Sequence, residues 1–244
     1  MGTSVMVTSG KGGTGKTALT AGVASCLAAL GRRVLCIDVD VGLRNLDIAL
    51  GMSDRAVMDF SDVMEHRCPL LTAAAEHPQI RGLFLLTAPL SLINLDLKGF
   101  RDVIDEARDY YDFIFLDSPA GLGDGFQLAM YAADRAIVVS ATEPAALRDA
   151  QRAVTKLMGQ IEDIHLVVNR VEPRMIGKLR TTIDVAMDTA GLPLLGMVPE
   201  DPQVTLAAAQ SVPLVLKTYK GAAPAYLNIA KRLLGQRVPL LHIR

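Results

Sequence analysis

Short apolar runs alternate with longer stretches of helical spacing along the whole chain. The runs are rich in Val, Ile and Leu, which is typical of strands buried on both faces of a parallel sheet. The predicted strands are Val5–Thr8, Val34–Asp38, Leu83–Thr87, Phe113–Asp117, Ala136–Ser140, Ile164–Asn169 and Leu194–Val198. The predicted helices are Lys16–Leu30, Val57–Met64, Gly99–Arg108, Phe126–Ala132, Leu147–Met158, Ile176–Ala190, Val204–Ala209 and Ala222–Leu234. This alternation predicts an α/β fold: a doubly wound, mostly parallel sheet with helices on both faces.

Length and composition point to one cytoplasmic domain. The chain has 244 residues, 50% of them hydrophobic, and no repeat or long linker, so we expect residues 1–244 to form a single domain. Lys+Arg (25) almost balance Asp+Glu (26), which argues against DNA as a partner. The three cysteines lack C-x-x-C spacing and are expected to be reduced, mostly buried thiols. No apolar run has the length of a membrane span, and the chain enters a strand without a signal peptide.

The stretch after the first predicted strand has the pattern of a phosphate-binding loop. Gly10, Gly15, Lys16 and Thr17 occupy the fixed positions of G-x-x-x-x-G-K-[ST]. Glycines let successive N–H groups point at phosphate oxygens, and the following helix adds the positive end of its dipole. Lys16 is expected to reach the β- and γ-phosphates, and the Thr17 hydroxyl to ligate Mg²⁺. The candidate phosphate-binding residues are Gly10, Lys11, Gly12, Gly13, Thr14, Gly15, Lys16, Thr17 and Ala18.

Lys11 gives this loop a second lysine. The sequence Lys-Gly-Gly-Thr-Gly-Lys-Thr from Lys11 resembles the deviant phosphate-binding loop of the MinD/ParA ATPases, which are P-loop NTPases of the SIMIBI class. The resemblance implies ATP and Mg²⁺ as cofactors, and a homodimer in the ATP state in which Lys11 reaches the partner's nucleotide. A second cation there would offset charge that develops during phosphoryl transfer, so Lys11 and Lys16 are both candidate catalytic residues.

Two aspartates end the second predicted strand. Asp38 and Asp40 are two residues apart, so on an extended chain they face the same way. The segment Asp-Val-Asp-Val-Gly-Leu-Arg-Asn-Leu-Asp closely resembles MinD, where it behaves as a switch. That resemblance implies that Asp40 positions the attacking water and that Asp38 supports the Mg²⁺ shell. It also implies that Arg44 and Asn45 lie near the dimer and nucleotide interface.

Asp117 ends an apolar strand, as the carboxylate of a Walker B motif does. Such a strand delivers one carboxylate to the outer shell of the metal. The sequence that follows, Asp-Ser-Pro-Ala-Gly, matches MinD and makes Gly121 the expected hinge of a second switch. ParA-like relatives more often have Asp-x-Pro-Pro here. The candidate metal-site residues are therefore Thr17, Asp38 and Asp117.

Asn169-Arg170 and Pro199-Glu200-Asp201 end two further strands. An amide at a strand end can donate to N7 of adenine and accept from its N6 amine, although an Asn there is also a common turn former. The Asn/Thr-Lys-x-Asp sequence of guanine sites is missing. MinD-like ATPases use Asn-Arg and Pro-Glu-Asp in these places, which makes Asn169 the expected adenine reader.

Two segments bear on partners and on the membrane. The segment 143–150 resembles a stretch on the dimer face of MinD. That resemblance makes Arg148 and Asp149 candidate contacts for regulators such as MinC- and MinE-like proteins, although the two residues are equally compatible with a capped, solvated helix start. MinD proteins usually end in a basic amphipathic helix that binds membrane. Here Ala222–Leu234 is better interpreted as core packing, and Pro239 interrupts the short tail. Membrane binding is thus expected to be weak or absent, unless the chain is truncated, and the location to be cytoplasmic or peripheral at the inner membrane face.

The resemblance implies an ATP-dependent dimerising switch in division-site placement that hydrolyses ATP to ADP and phosphate. An alternative is a FlhG/FleN-type flagellar-number regulator, which shares the same core. A ParA-like DNA-partitioning ATPase is less favoured because of the net charge and the Asp-Ser-Pro-Ala-Gly sequence. An iron–sulfur carrier is disfavoured because C-x-x-C is missing.

Overall fold

The computed structural model describes residues 1–91, 95–172, 183–241 and 243. Its strands are β1 (Thr3–Thr8), β2 (Val34–Asp38), β3 (Ala75–Glu76), β4 (Leu83–Leu86), β5 (Phe113–Asp117), β6 (Arg135–Ser140), β7 (Asp163–Val171) and β8 (Leu194–Pro199). Its helices are α1 (Lys16–Ala29), α2 (Leu46–Leu50), α3 (Phe60–Met64), α4 (Leu70–Ala73), α5 (Leu97–Ala107), α6 (Asp124–Ala132), α7 (Pro144–Leu157), α8 (Ile183–Ala190), α9 (Pro202–Ala209) and α10 (Ala223–Leu233), with a 3₁₀ turn at Leu214–Leu216.

The strands form one sheet in the order β3-β4-β2-β5-β1-β6-β7-β8. Neighbouring strands are parallel except β3 and β4, which pair antiparallel. Successive residues of β1 pack into the cores on the two faces of the sheet: Met6 into one, Val5 and Val7 into the other. Because a strand alternates its side chains between two faces, both faces must be covered by helices. The predicted α/β class is confirmed.

The central strand β1 lies between β5 and β6, and the chain moves to opposite sides of it in the two halves of the sheet. A crevice forms at such a switch point, beyond the carboxyl ends of the strands. The register brings Asp38 on β2 directly beside Asp117 on β5, and Asp117 beside Val7 on β1. The ends of three strands therefore meet where β1 passes into the glycine-rich loop.

All the predicted strands are present, β2 and β5 with the predicted ends and the others with ends shifted by one or two residues, but several short elements were not predicted. These are α2, α4, β3 and the 3₁₀ turn. The helix predicted from Val57 begins at Phe60, because the Asp59 carboxylate accepts from Ser61 N at 2.8 Å and caps it. The first part of the helix predicted at Ile176–Ala190 falls outside the described residues, and its described part begins at Ile183.

The last helix packs in the core, as predicted. Tyr226 and Ile229 of α10 are buried against α1 and the sheet. The three cysteines are free thiols, and Cys26 and Cys36 are buried. Within the described ranges, no helix combines the length and hydropathy needed to cross a bilayer.

Candidate functional site

The loop between β1 and α1 is shaped by glycines in the left-handed region. Gly13 has φ 78° and Gly15 φ 88°, values that favour glycine. Gly15 is the N-cap of α1, and among the described residues no side chain caps its first turn. The donors of that turn thus remain available to an anion. Gly10 is required for a different reason, since a Cβ there would lie 1.9 Å from the Asp149 carbonyl oxygen on α7.

A serine that was not among the predicted site residues holds Lys16. Lys16 Nζ donates to Ser9 Oγ at 3.0 Å, and Ser9 Oγ donates to the Lys11 carbonyl oxygen at 2.6 Å. Burial lowers the pKa of the Lys16 ammonium, whereas the charges of Asp117 and Asp40 raise it. Ser9 therefore holds both the loop and the ammonium, whose pKa is influenced by the charges of two carboxylates.

Asp117 is a buried carboxylate whose negative charge is only partly compensated by nearby positive charge. Its pKa is raised to about 7, chiefly by burial and then by the charge of the neighbouring Asp38, against the opposing effects of hydrogen bonds from Thr17 and Thr20 and the charge of Lys16. Thr20 was also missed by the sequence analysis. Its hydroxyl lies 3.1 Å from Asp117 Oδ1. Such a carboxylate beside a threonine hydroxyl is the hard-oxygen environment that suits Mg²⁺.

The described part of the chain holds no cluster of three or more His, Cys, Asp or Glu side chains that would bind a metal unaided. Mg²⁺ is usually held by one or two protein oxygens together with substrate phosphates and water. The buried Asp117 carboxylate with the Thr17 and Thr20 hydroxyls beside it therefore fits a Mg²⁺ that arrives with a nucleotide.

The Asp38 carboxylate is occupied by backbone donors. Its Oδ1 accepts from Asp40 N at 2.9 Å, and its Oδ2 accepts from Asn45 N and Leu46 N, both at 3.0 Å. These bonds cap α2 and fold the segment after β2 against the strand end. The support of a Mg²⁺ shell by Asp38 stays a prediction, and the structure adds a backbone-holding role that sequence spacing did not indicate.

Asp40 and Lys11 face the crevice and the solvent. Asp40 is half-buried, and partial burial raises the pKa of its carboxyl group, opposed by the charge of Lys16. Lys11 is exposed. Arg44 instead turns towards its own chain: its Nε donates to the Ala88 carbonyl at 2.6 Å, and φ is 41° at this residue. Its predicted place at an interface is not tested.

The two predicted strand ends and the phosphate-loop glycines meet in one cavity of about 210 Å³. It is lined by Gly13, Gly15, Ala18, Asn169, Arg170, Pro199, Glu200, Asp201, Val204, Thr205 and Tyr226. The structure thus brings the predicted base-binding residues together, beside the loop predicted to bind phosphates. It also adds Val204, Thr205 and Tyr226, which the sequence analysis missed. A concave site of this kind suits a planar base.

Several of these residues already have protein partners. Asn169 Nδ2 donates to the Thr14 carbonyl at 2.7 Å, so the donor that was predicted to read N7 is bonded to the loop. Arg170 pairs with Glu200 at 2.7 Å and has φ 57°, at an irregularity in the β7–β8 register. Asp201 accepts from Gln203 N and Ala222 N, both at 2.9 Å, and so joins the starts of α9 and α10.

Gly22, within α1, is the sequence feature that could have indicated the close packing of Tyr226. A Cβ at Gly22 would lie 2.2 Å from the Tyr226 ring, so only glycine lets α10 approach α1 this closely. A glycine in the middle of a helix lowers helix stability relative to alanine, and the close approach of the two helices accounts for its presence here. The Tyr226 ring is buried, and it forms part of the cavity wall next to Ala18.

Comparison with known proteins places the chain in a family. Residues 5–214 match the family model described as the CobQ/CobB/MinD/ParA nucleotide binding domain. The chain belongs to the MinD/ParA family. It is 36% identical over 246 residues to the septum site-determining protein MinD of Bacillus subtilis, covering 98% of this chain and 92% of that protein.

Solved structures of MinD proteins have the same fold. The MinD of a MinC:MinD cell division protein complex from Aquifex aeolicus superposes with a TM-score of 0.91, at 35% identity and 98% coverage of both chains. MinD from Pyrococcus horikoshii, complexed with Mg-ADP, gives a TM-score of 0.84 at 29% identity and 96% coverage of both chains. The MinD/ParA fold predicted from the loop sequence is confirmed.

The predicted regulator face lies at the start of α7. Arg148 is exposed, and Asp149 lies 3.5 Å from Arg152. Glu143, the residue before the helix, makes no side-chain cap bond to any described residue. The cap suggested by the sequence is therefore wrong, whereas a contact of Arg148 and Asp149 with regulators stays a prediction.

Proposed function

We propose that this chain is a MinD-like ATPase that acts as an ATP-dependent switch in division-site placement. One observation carries the proposal: the Lys16 ammonium belongs to the uncapped first turn of α1 and is close enough to the Asp117 and Asp40 carboxylates for their charges to raise its pKa. An ammonium, helix N–H groups and two carboxylates at one point suit a triphosphate, its metal and an attacking water.

Nucleotide binding divides into two parts along the loop. The N–H groups from Gly10 to Thr17 and the Lys16 ammonium bind the phosphates, while the cavity at the ends of β7 and β8 takes the base. For adenine, the Asn169 carbonyl oxygen can accept from the N6 amine while its Nδ2 keeps its bond to Thr14. The Arg170–Glu200 pair lines the same cavity.

Thr17, Asp117 and Asp38 are the residues we propose for Mg²⁺. The ion neutralises phosphate charge and aligns the γ-phosphate when it is bound. Thr17 supplies a hydroxyl oxygen at the start of α1, and Asp117 supplies a carboxylate next to it. Asp38 keeps its backbone bonds and contributes negative charge from the adjacent strand end.

Asp40 is the residue we propose for hydrolysis. It is half-buried just after β2 and close enough to Lys16 for their charges to interact, and partial burial raises the pKa of its carboxyl group. A carboxylate at this position can orient a water and accept its proton as the water attacks the γ-phosphate. Lys16, and Lys11 of the other copy in a homodimer, stabilise the charge that develops on the phosphate oxygens.

The partners follow from the exposed groups around this site. Lys11 is exposed at the mouth of the loop, as a residue that reaches a second copy must be. The Aquifex aeolicus relative is described in a complex with MinC, which supports a MinC-like regulator here. We propose a MinE-like protein as a second regulator, and a cytoplasmic location with weak or absent binding to the inner membrane face.

The test is the turnover of Asp40→Ala in the presence of ATP and Mg²⁺. We expect hydrolysis to fall roughly a hundredfold or more, with ATP affinity kept, because the water-orienting carboxylate is lost but the phosphate donors remain. Asp54→Ala is the control, since Asp54 is an exposed aspartate in the same half of the chain. Unchanged turnover in Asp40→Ala would remove the mechanism, and a wild-type chain that does not bind ATP would remove the function.

A further inference from the structure

Thr20 lies one turn beyond Lys16 on α1 and is completely buried. Its hydroxyl has two acceptors within reach, the Lys16 carbonyl at 3.0 Å and Asp117 Oδ1 at 3.1 Å. A hydroxyl has a single hydrogen to donate. In an α-helix the carbonyl of Lys16 also accepts the N–H of residue 20, so that carbonyl does not depend on the hydroxyl.

Asp117 depends on the threonine hydroxyls more strongly than the Lys16 carbonyl does. It is a buried carboxylate, and a bond from a neutral donor to a charged acceptor is about twice as strong as a bond between neutral groups. The Asp117 carboxylate accepts hydrogen bonds from two hydroxyls of α1, those of Thr17 and Thr20, which lie three residues apart on one face of the helix. Two fixed donors on one helix hold the carboxylate at a set angle to α1.

A bound nucleotide and its metal would add a constraint to this arrangement. In the proposed function the Thr17 hydroxyl oxygen would be a ligand of Mg²⁺, and the metal would then also set the direction in which that hydroxyl donates. Thr20 is completely buried, so its hydroxyl would not reach the metal. The bond from Thr20 to Asp117 is then the one that the metal leaves unchanged.

We propose that Thr20 is a positioning residue that holds the Asp117 carboxylate in place for Mg²⁺, independently of the bond from Thr17, whose hydroxyl oxygen would ligate the metal. This inference rests on the proposed Mg-dependent nucleotide site. It assigns to Thr20 an effect on the Mg²⁺ dependence of nucleotide binding, with no effect on the contacts between the protein and the nucleotide.

The experiment measures the affinity for a fluorescent ADP derivative as Mg²⁺ is raised from zero, with EDTA as the metal-free condition. ADP avoids turnover. Thr20→Val keeps the shape of the side chain and removes the hydroxyl. In this variant we expect the Mg²⁺ concentration that gives half of the Mg-dependent gain in affinity to rise about tenfold, since a bond to a charged group is lost. Affinity in EDTA should stay at the wild-type value.

Thr20→Ser keeps the hydroxyl and should restore the wild-type Mg²⁺ dependence. Ser25→Ala is the matched control, because Ser25 is a buried hydroxyl on the same helix without a hydrogen-bond partner among the described residues. It should leave both affinities unchanged. Thr20→Ala removes the same hydroxyl without adding volume, so it replaces Thr20→Val if that variant does not fold.

The outcomes separate the two proposals. A wild-type Mg²⁺ dependence in both Thr20→Val and Thr20→Ala would overturn the role of Thr20, and so would an equal loss of affinity in EDTA, which is what a purely structural defect gives. A wild-type protein whose ADP affinity does not respond to Mg²⁺ would instead overturn the proposed metal site.

Discussion

Replacing Asp117 by Asn should stabilise the nucleotide-free protein, although Asp117 is a candidate metal ligand. The side chain is 3% exposed, and its pKa is about 7 in the folded protein. In the unfolded chain an aspartate has a pKa of about 3.9. The folded state therefore binds this proton more tightly than the unfolded state does, and ionised Asp117 opposes folding.

The sign follows from proton linkage. Between about pH 4 and pH 7 the native state holds more protons than the unfolded state, so the contribution of Asp117 to stability falls as pH rises through this window. A shift of about three units at about 1.4 kcal/mol each sets a ceiling of about 4 kcal/mol at pH 8. Part of that is lost in Asp117→Asn, because Lys16 loses a compensating charge, so we expect a gain of about 2 kcal/mol.

Urea unfolding in EDTA without nucleotide measures this effect at pH 5, 6, 7 and 8. The gain in the free energy of unfolding for Asp117→Asn should be small at pH 5 and grow up to pH 8. The exposed Asp54→Asn should change stability by less than about 0.5 kcal/mol at every pH. If Asp117→Asn is less stable than the wild type at pH 8, the carboxylate stabilises the loop through Lys16, and the reasoning from burial is refuted.

Two further substitutions test contacts that the structure revealed. Ser9→Ala leaves the buried Lys16 ammonium without its hydroxyl acceptor, and we expect the free energy of unfolding without nucleotide to fall by about 1–3 kcal/mol in urea unfolding. Ser9→Thr should be closer to the wild type. Equal stability of Ser9→Ala and the wild type would contradict the contact. Gly22→Ala pushes a methyl group into the Tyr226 ring, and should cost about 1–3 kcal/mol of stability in spite of the better helix propensity of alanine. Pairing Gly22→Ala with Tyr226→Leu should recover part of that loss, and a stability of Gly22→Ala at or above the wild type would show that the ring is free to move.

The features that sequence analysis predicted are those fixed by local spacing. The loop glycines, Lys16 and the acids at the strand ends each follow from a few neighbouring residues. Parallel strands then bring those ends to one edge, so the meeting of Asp38 with Asp117 required no further information. The confirmed fold class rests on the same alternation of apolar runs and helical stretches.

The features that were missed depend on contacts between distant residues. Thr20 meets Asp117 across 97 positions, and Asn169 meets Thr14 across 155. The helix α2 has only five residues, too few for a periodic signal, and its capping carboxylate comes from Asp38 on the preceding strand. In isolation none of these residues departs from an ordinary pattern.

The charges of the site explain why these hidden contacts are present. Asp38 and Asp117 are buried side by side, and the buried ammonium of Lys16 is close enough to Asp117 for their charges to interact. An isolated buried carboxylate would take up a proton, and a protonated carboxyl group is a poor ligand for Mg²⁺. The backbone donors on Asp38 and the hydroxyls on Asp117 favour the ionised forms. They therefore favour a negative charge that can bind a cation, although this buried charge lowers the free energy of unfolding. Asp117→Asn should remove that loss of stability.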